Sequence, residues 1–206
     1  MKKIITNLSV SKAALVVGIA FISSVIIVTI VDDFLLANFV VPGDPQVLIQ
    51  DIDQNRTVFH FAVLGYLVVL MLDAIIGIAL YIVLKPANKK LAWLTATLRL
   101  LYAFTLVVAL IALVFQSIDV YRYASLKLIG YIFFALHIFI LGYSIIKSGY
   151  ISKSLGILLI VASFTYTVFF VDFRLPESLQ LIVMVTMLMA ELSLSIWLIV
   201  KRNTLI

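Results

Sequence analysis

Six runs of apolar residues, each about the length of a bilayer crossing, fill most of this 206-residue chain. The first, from Ala13 to about Val31, is nearly unbroken Ala, Val, Ile and Phe. A bilayer core offers no water to backbone N–H and C=O groups, so such runs must satisfy their hydrogen bonds internally. They lack the two-residue alternation of an outer-membrane barrel and are therefore read as helices. Composition agrees, with 65% hydrophobic and only 12% charged residues, against about 25% charged in a soluble domain. The fold class expected is all-α: a polytopic membrane protein forming a single six-transmembrane-helix bundle over residues 1–206.

Spans are expected at about 13–31, 57–84, 91–115, 126–146, 155–171 and 179–200. The opening MKKIITNLSVSK resembles the start of a signal peptide. The apolar run after it exceeds the usual length of about 7–15 residues and meets Asp32-Asp33, so it is read as a retained first helix. The connection 32–56 carries Asp32, Asp33, Asp44, Asp51 and Asp53 but no lysine. Asp44 followed by Pro45 signals an N-cap and first turn, so a short surface helix is expected through about Gln54. It would bridge two spans on the extracytoplasmic side or, as a sharper alternative, cover a site as a lid.

Charge sets the orientation. Lys2, Lys3, Lys12, Lys85, Lys89, Lys90, Lys147, Lys153, Lys201 and Arg202 occupy the N-terminus, alternate turns and the tail, with no acid among them. The other side holds Arg56, Arg122, Lys127 and Arg174 against eight acids. By the positive-inside rule both termini are expected in the cytoplasm. The net charge of +5 does not signal nucleic acid, because the basic residues gather at span ends rather than on one face.

Four ionisable residues lie inside the spans: Asp73, Arg99, His137 and Glu191. Each such charge costs about 2.5–3.5 kcal/mol to insert at the centre of a helix, so each asks for a partner. Spans two, four and six end in the same pattern, Tyr81/Lys85, Tyr143/Lys147 and Trp197/Lys201, which marks one interface. Asp73 lies twelve positions before its lysine, and His137 and Glu191 ten before theirs. Those spacings correspond to depths of roughly 15–18 Å. Arg99, nine positions after Lys90, lies roughly 13–14 Å deep. In a core about 30 Å thick, all four fall in one layer near the midplane.

The segments VVPGD at 40–44, LDAIIGIALYIVLKPANKKLAWLTATLRL at 72–100, FFALHIFILGYSIIKSGYISKSLGILL at 133–159, and ELSLSIWLIVK with Glu191 and Trp197 resemble the bacterial membrane proteins grouped as domain of unknown function 4386. The resemblance covers nearly the whole chain. It implies a six-helix protein of the bacterial plasma (inner) membrane, with the family's recurrent polar positions on Asp73, Arg99, His137 and Glu191. It implies no activity.

Across the KPANKK turn, Asp73 falls about one helical turn from the residue opposite Arg99, so an ion pair locking this hairpin is expected. His137 reads as a packed histidine bonded to a carbonyl or hydroxyl. Glu191 is either neutral or a second partner of Arg99 or of a charged His137. Tyr66, Tyr81, Tyr102, Tyr131 and Tyr143 read as packing residues or interface anchors. No metal or cofactor is expected: a zinc hydrolase needs three protein ligands, and His60 lies near the outer end of its span, far from His137. The chain has no cysteine and no G-x-S-x-G, H-E-x-x-H or Walker motif, and Ser144 has no evident base beside it.

The function expected is therefore a non-enzymatic binding or accessory membrane protein without catalytic residues. Its partners would be the lipid bilayer, a small molecule or lipid headgroup, and a second copy or partner helix, but no nucleic acid. The alternative is a small proton-linked transporter with His137 and Glu191 as the titrating pair, since buried Asp, Glu and His build proton relays. Against it, Pro42, Pro45, Pro86 and Pro176 all fall in loops rather than breaking a span. An intramembrane hydrolase is the distant alternative. A dry, closed cluster around Asp73 would favour a structural role, and one open to either face a ligand.

Overall fold

The structure, a computed structural model, describes residues 9–31, 54–115, 120–170 and 175–205. Among the described residues six α-helices follow one another: α1 (Val10–Ile30), α2 (Arg56–Leu84), α3 (Lys89–Val114), α4 (Val120–Ser148), α5 (Lys153–Phe170) and α6 (Glu177–Lys201). Among the described residues there are no strands. Five of the helices are long and apolar enough to cross a membrane, and α5 is not counted with them. The sixth expected span falls on α5, whose 18 residues rise about 27 Å, close to the thickness of a hydrocarbon core of about 30 Å. The expected surface helix after Asp44, and its reading as a lid, lie outside the described residues.

Local chemistry sets the helix ends. Ser9 caps α1 by accepting a bond from the Lys12 amide at 3.3 Å. After the Pro86 turn, Asn88 Oδ1 accepts from the Lys90 and Leu91 amides, which begins α3 with its first N–H groups satisfied. Gly149, at φ +78°, follows α4 in the left-handed conformation that ends many helices and that only glycine adopts freely. The next residue, Tyr150, donates its hydroxyl to the Val83 carbonyl near the end of α2. Burial pushes that phenol up to about 12, so it remains a donor at neutral pH.

Each helix packs on its neighbours in sequence, and α6 closes back onto α1 to complete a ring. With lipid outside, the hydrophobic effect does little to bring helices together, and close backbone approach at small residues takes its place. Gly142 on α4 and Gly156 on α5 face each other. A methyl group on either would stand 2.6–2.7 Å from the other's carbonyl oxygen. The seam between α1 and α6 uses the same device, because a methyl on Gly18 would lie 2.7 Å from the Ser195 carbonyl. At the ends of that seam, Ser11 Oγ donates to Asn203 Oδ1 at 3.0 Å.

The ring is apolar outside and polar within. Phe104 and Val200 are 67% and 69% exposed, whereas Asp73, Thr95, Arg99, His137 and Glu191 are all buried. This reverses the arrangement of a soluble protein and matches a multi-pass membrane protein. The polar residues ride on ordinary helical stripes. On α2, Asp73 shares its inward face with Ile76, Gly77, Leu80 and Leu84. On α3, Arg99 follows Ala92, Thr95 and Ala96, whose small side chains leave room for a guanidinium. Partly exposed hydroxyls such as Thr105 and Thr186 donate to carbonyls four residues earlier in their own helices, which satisfies them without a partner helix.

Candidate functional site

Arg99 lies at the centre of the buried polar residues. Its Nε and Nη2 both donate to Asp73 Oδ1, at 3.1 and 2.5 Å, forming an ion pair between α2 and α3. Its Nη1 is 3.2 Å from His137 Nε2 on α4. His137 Nδ1 is in turn 2.8 Å from the Thr95 carbonyl oxygen, one turn before Arg99 on α3. A carbonyl can only accept, so Nδ1 carries the hydrogen and donates. Guanidinium can only donate, so Nε2 must accept. Both neighbours thus hold His137 as the neutral Nδ1–H tautomer, because an imidazolium would point an N–H at another N–H.

Two aromatic faces cover the guanidinium. Its Cζ lies 5.3 Å from the ring centre of Phe134 on α4 and 6.0 Å from that of Phe21 on α1. Cation–π attraction over a desolvated arginine reaches about 2 kcal/mol, and both rings also exclude solvent. Phe134 extends the cluster further, packing against Tyr102 with ring centres 4.7 Å apart and edge-on to Tyr166 at 5.0 Å. Tyr166 on α5 donates its hydroxyl to Glu191 Oε1 on α6 at 2.8 Å. All six helices therefore contribute to one cluster: Phe21, Asp73, Arg99, His137 with Phe134, Tyr166, and Glu191.

Asp73, Arg99 and His137 are brought into direct contact, while the hydrogen bond of Glu191 goes to Tyr166 rather than to Arg99 or His137. Tyr166, Phe134, Phe21 and Thr95 are the participants that the ionisable residues alone do not reveal. Tyr166 had a usable signal. It falls on the same face of α5 as buried Leu159, Ala162 and Ser163, so its polar tip has to point into the ring. Thr95 also extends the network toward Ser144, whose Oγ is 3.3 Å away. Ser144 donates its own hydrogen to the Ile140 carbonyl at 2.7 Å, so the Thr95 hydroxyl is the donor of this pair. His60 is exposed and takes no part in the cluster. Among the described residues, no three histidine or carboxylate side chains converge on a point that could hold a metal ion.

Residues 16–118 and 114–201 match the family described as Domain of unknown function (DUF4386). The chain belongs to this family. An uncharacterized protein of Archaeoglobus fulgidus is 34% identical to this DUF4386 chain over 108 residues, or 52% of this chain and 64% of that protein. The match thus spans less than two thirds of that relative's length. No solved structure matches.

Breaking one half of a buried ion pair leaves an uncompensated charge and costs about 3–5 kcal/mol, whereas removing both halves is often close to neutral. Asp73→Asn and Arg99→Leu should each lower the melting temperature and folded yield of detergent-purified protein. The double variant should recover most of both. The expected coupling energy is roughly 2–3 kcal/mol, and additive losses in the double variant would show that the pair does not hold the hairpin.

Proposed function

We propose that this chain is a non-enzymatic membrane protein of the binding or accessory type, in which the polar core holds the helix ring closed and handles no substrate. The observation carrying this reading is that the core is satisfied from within. Arg99 is shared between Asp73 and His137, and Glu191 takes the Tyr166 hydroxyl. Among the described residues, no enclosed polar side-chain atom lacks a partner. A proton carrier built on His137 would have to turn a hydrogen-bond acceptor toward Arg99 into a donor, which breaks the network that positions it. A hydrolase built on Ser144 would need a base, and its neighbour is the Thr95 hydroxyl.

The protein is further proposed to be one domain with both termini cytoplasmic, in the plasma membrane of a bacterial cell, and α5 to be its sixth crossing. The lysine distribution supports this orientation. Lys85 and Lys147, at the ends of α2 and α4, sit 5.9 and 5.7 Å from the ring centres of Tyr81 and Tyr143, and Lys201 ends α6. The 18 residues of α5 fall within the range of about 17–25 that spans a bilayer when neighbouring helices and flanking residues accommodate the mismatch.

Two measurements test this account. Proteoliposomes loaded with a pH-sensitive dye should acidify at the rate of protein-free vesicles under an imposed pH gradient; a faster rate that Glu191→Gln removes would establish the carrier instead. Because the chain has no cysteine, single cysteines report topology without background. Asn88→Cys should resist a membrane-impermeant thiol reagent in intact cells and Ser178→Cys should react, and the reverse pattern would invert the orientation.

A further inference from the structure

A furrow of about 240 Å³ runs between α4 and α5 on the outer wall of the ring. Its origin lies in the glycine contact. Gly142 and Gly156 bring the two helices together. The same antiparallel register opposes Ala135 with Ser163 and Tyr131 with Thr167, where small residues on the axis and large ones at the rim leave a trough. Leu128, Ile132, Leu136, Phe139 and Phe164 form its walls. The serine and threonine hydroxyls in it are committed to backbone, Ser163 donating to the Ile160 carbonyl at 2.7 Å and Thr167 to the Ser163 carbonyl at 2.9 Å. Neither serine nor threonine has a hydrogen left for a polar ligand, so the trough fits an apolar chain.

Its position along α4 defines that chain further. Lys127, which directly precedes the first wall residue, lies 5.6 Å from the ring centre of Tyr131. Lys147 and Tyr143 repeat this stacking at 5.7 Å near the other end of α4. The two lysines are 20 positions apart, about 30 Å along a helix, which is the thickness of a hydrocarbon core. Lys127 therefore sits at the depth of lipid phosphates. From Leu128 to Phe139 the trough extends about 16 Å, or one leaflet. We propose that this furrow holds one acyl chain of a membrane phospholipid whose phosphate is bound by Lys127. The proposal rests on the reading of the chain as a membrane-embedded binding protein and names the ligand class and the site.

Lipid tails are as apolar as the trough, so selectivity comes from van der Waals fit along the chain and from the charge at its end. The test is native mass spectrometry of the full chain in detergent, titrated with dioleoyl phosphatidylglycerol, dioleoylglycerol and oleate. The first phosphatidylglycerol bound should be held more tightly than later ones. Ile132→Trp fills the trough from a lipid-facing position and should weaken that first site about tenfold. Leu136→Trp serves as a second filling variant should the first not fold. Lys127→Gln should weaken phosphatidylglycerol about fivefold and leave dioleoylglycerol unchanged. Phe104→Trp, on the lipid-facing wall of α3, should change nothing.

Equal binding by the wild type, the filling variants and Phe104→Trp would overturn the proposal and leave only general lipid coating. Oleate binding as tightly as phosphatidylglycerol, with no response to Lys127→Gln, would overturn the phosphate assignment. Neither result bears on proton flux in proteoliposomes, so failure here is distinguishable from failure of the non-enzymatic reading.

Discussion

A guanidinium in the interior of a lipid-facing ring is the constraint around which the rest of this structure is arranged. It cannot shed its charge, and its five N–H groups are fixed in one plane. Solvation must therefore come from side chains, and Asp73 and His137 supply it from helices on either side of α3. Phe134 and Phe21 close its faces. The demands then propagate. His137 can accept from Arg99 only if its other nitrogen is given an acceptor, and the Thr95 carbonyl, one turn before Arg99 on the same helix, provides it. Arg99 and Thr95 thus hold opposite edges of the imidazole and fix the rotation of α4 against α3.

The far side of the ring is organised through aromatic contact rather than charge. Phe134 touches Tyr166 on α5, and Tyr166 in turn bonds Glu191 on α6. Helix α6 then reaches α1 through the Gly18–Ser195 approach, which returns the chain to Phe21 above Arg99. Polar bonds and small-residue contacts have complementary parts here. The glycines let backbones approach without specifying which stripe faces which. The polar groups, costly to misplace in lipid, select the rotation of each helix. A ring joined only by apolar surfaces would have no comparable means of fixing that rotation.

Much of this was legible in the residues, and the missing part has a definable cause. Hydropathy marked six apolar runs and a helix lies in each, because a backbone in lipid has few alternatives. Distance from the terminal lysines placed Asp73, Arg99, His137 and Glu191 at a common depth, because rise per residue is fixed. Lateral order was not readable in the same way. Whether Glu191 meets Arg99 or Tyr166 depends on which helices adjoin in the ring, and hydropathy carries no information about neighbours. Tyr166 was visible only as one polar member of an apolar run until its face on α5 was known. The trough between α4 and α5 depends on how those helices meet through Gly142 and Gly156, and single-chain periodicity does not reveal that pairing.

The central claim is that the buried ionisable groups satisfy one another inside a closed ring, and His137 is its most sensitive reporter because both of its nitrogens are committed. Nitrogen-15 NMR of histidine-labelled protein in lipid bilayers reads its tautomer directly. The account predicts a neutral Nδ1–H imidazole whose signals do not move between about pH 5 and pH 8, the range in which an unconstrained histidine titrates. An Nε2–H tautomer, or conversion to imidazolium within that range, would contradict it.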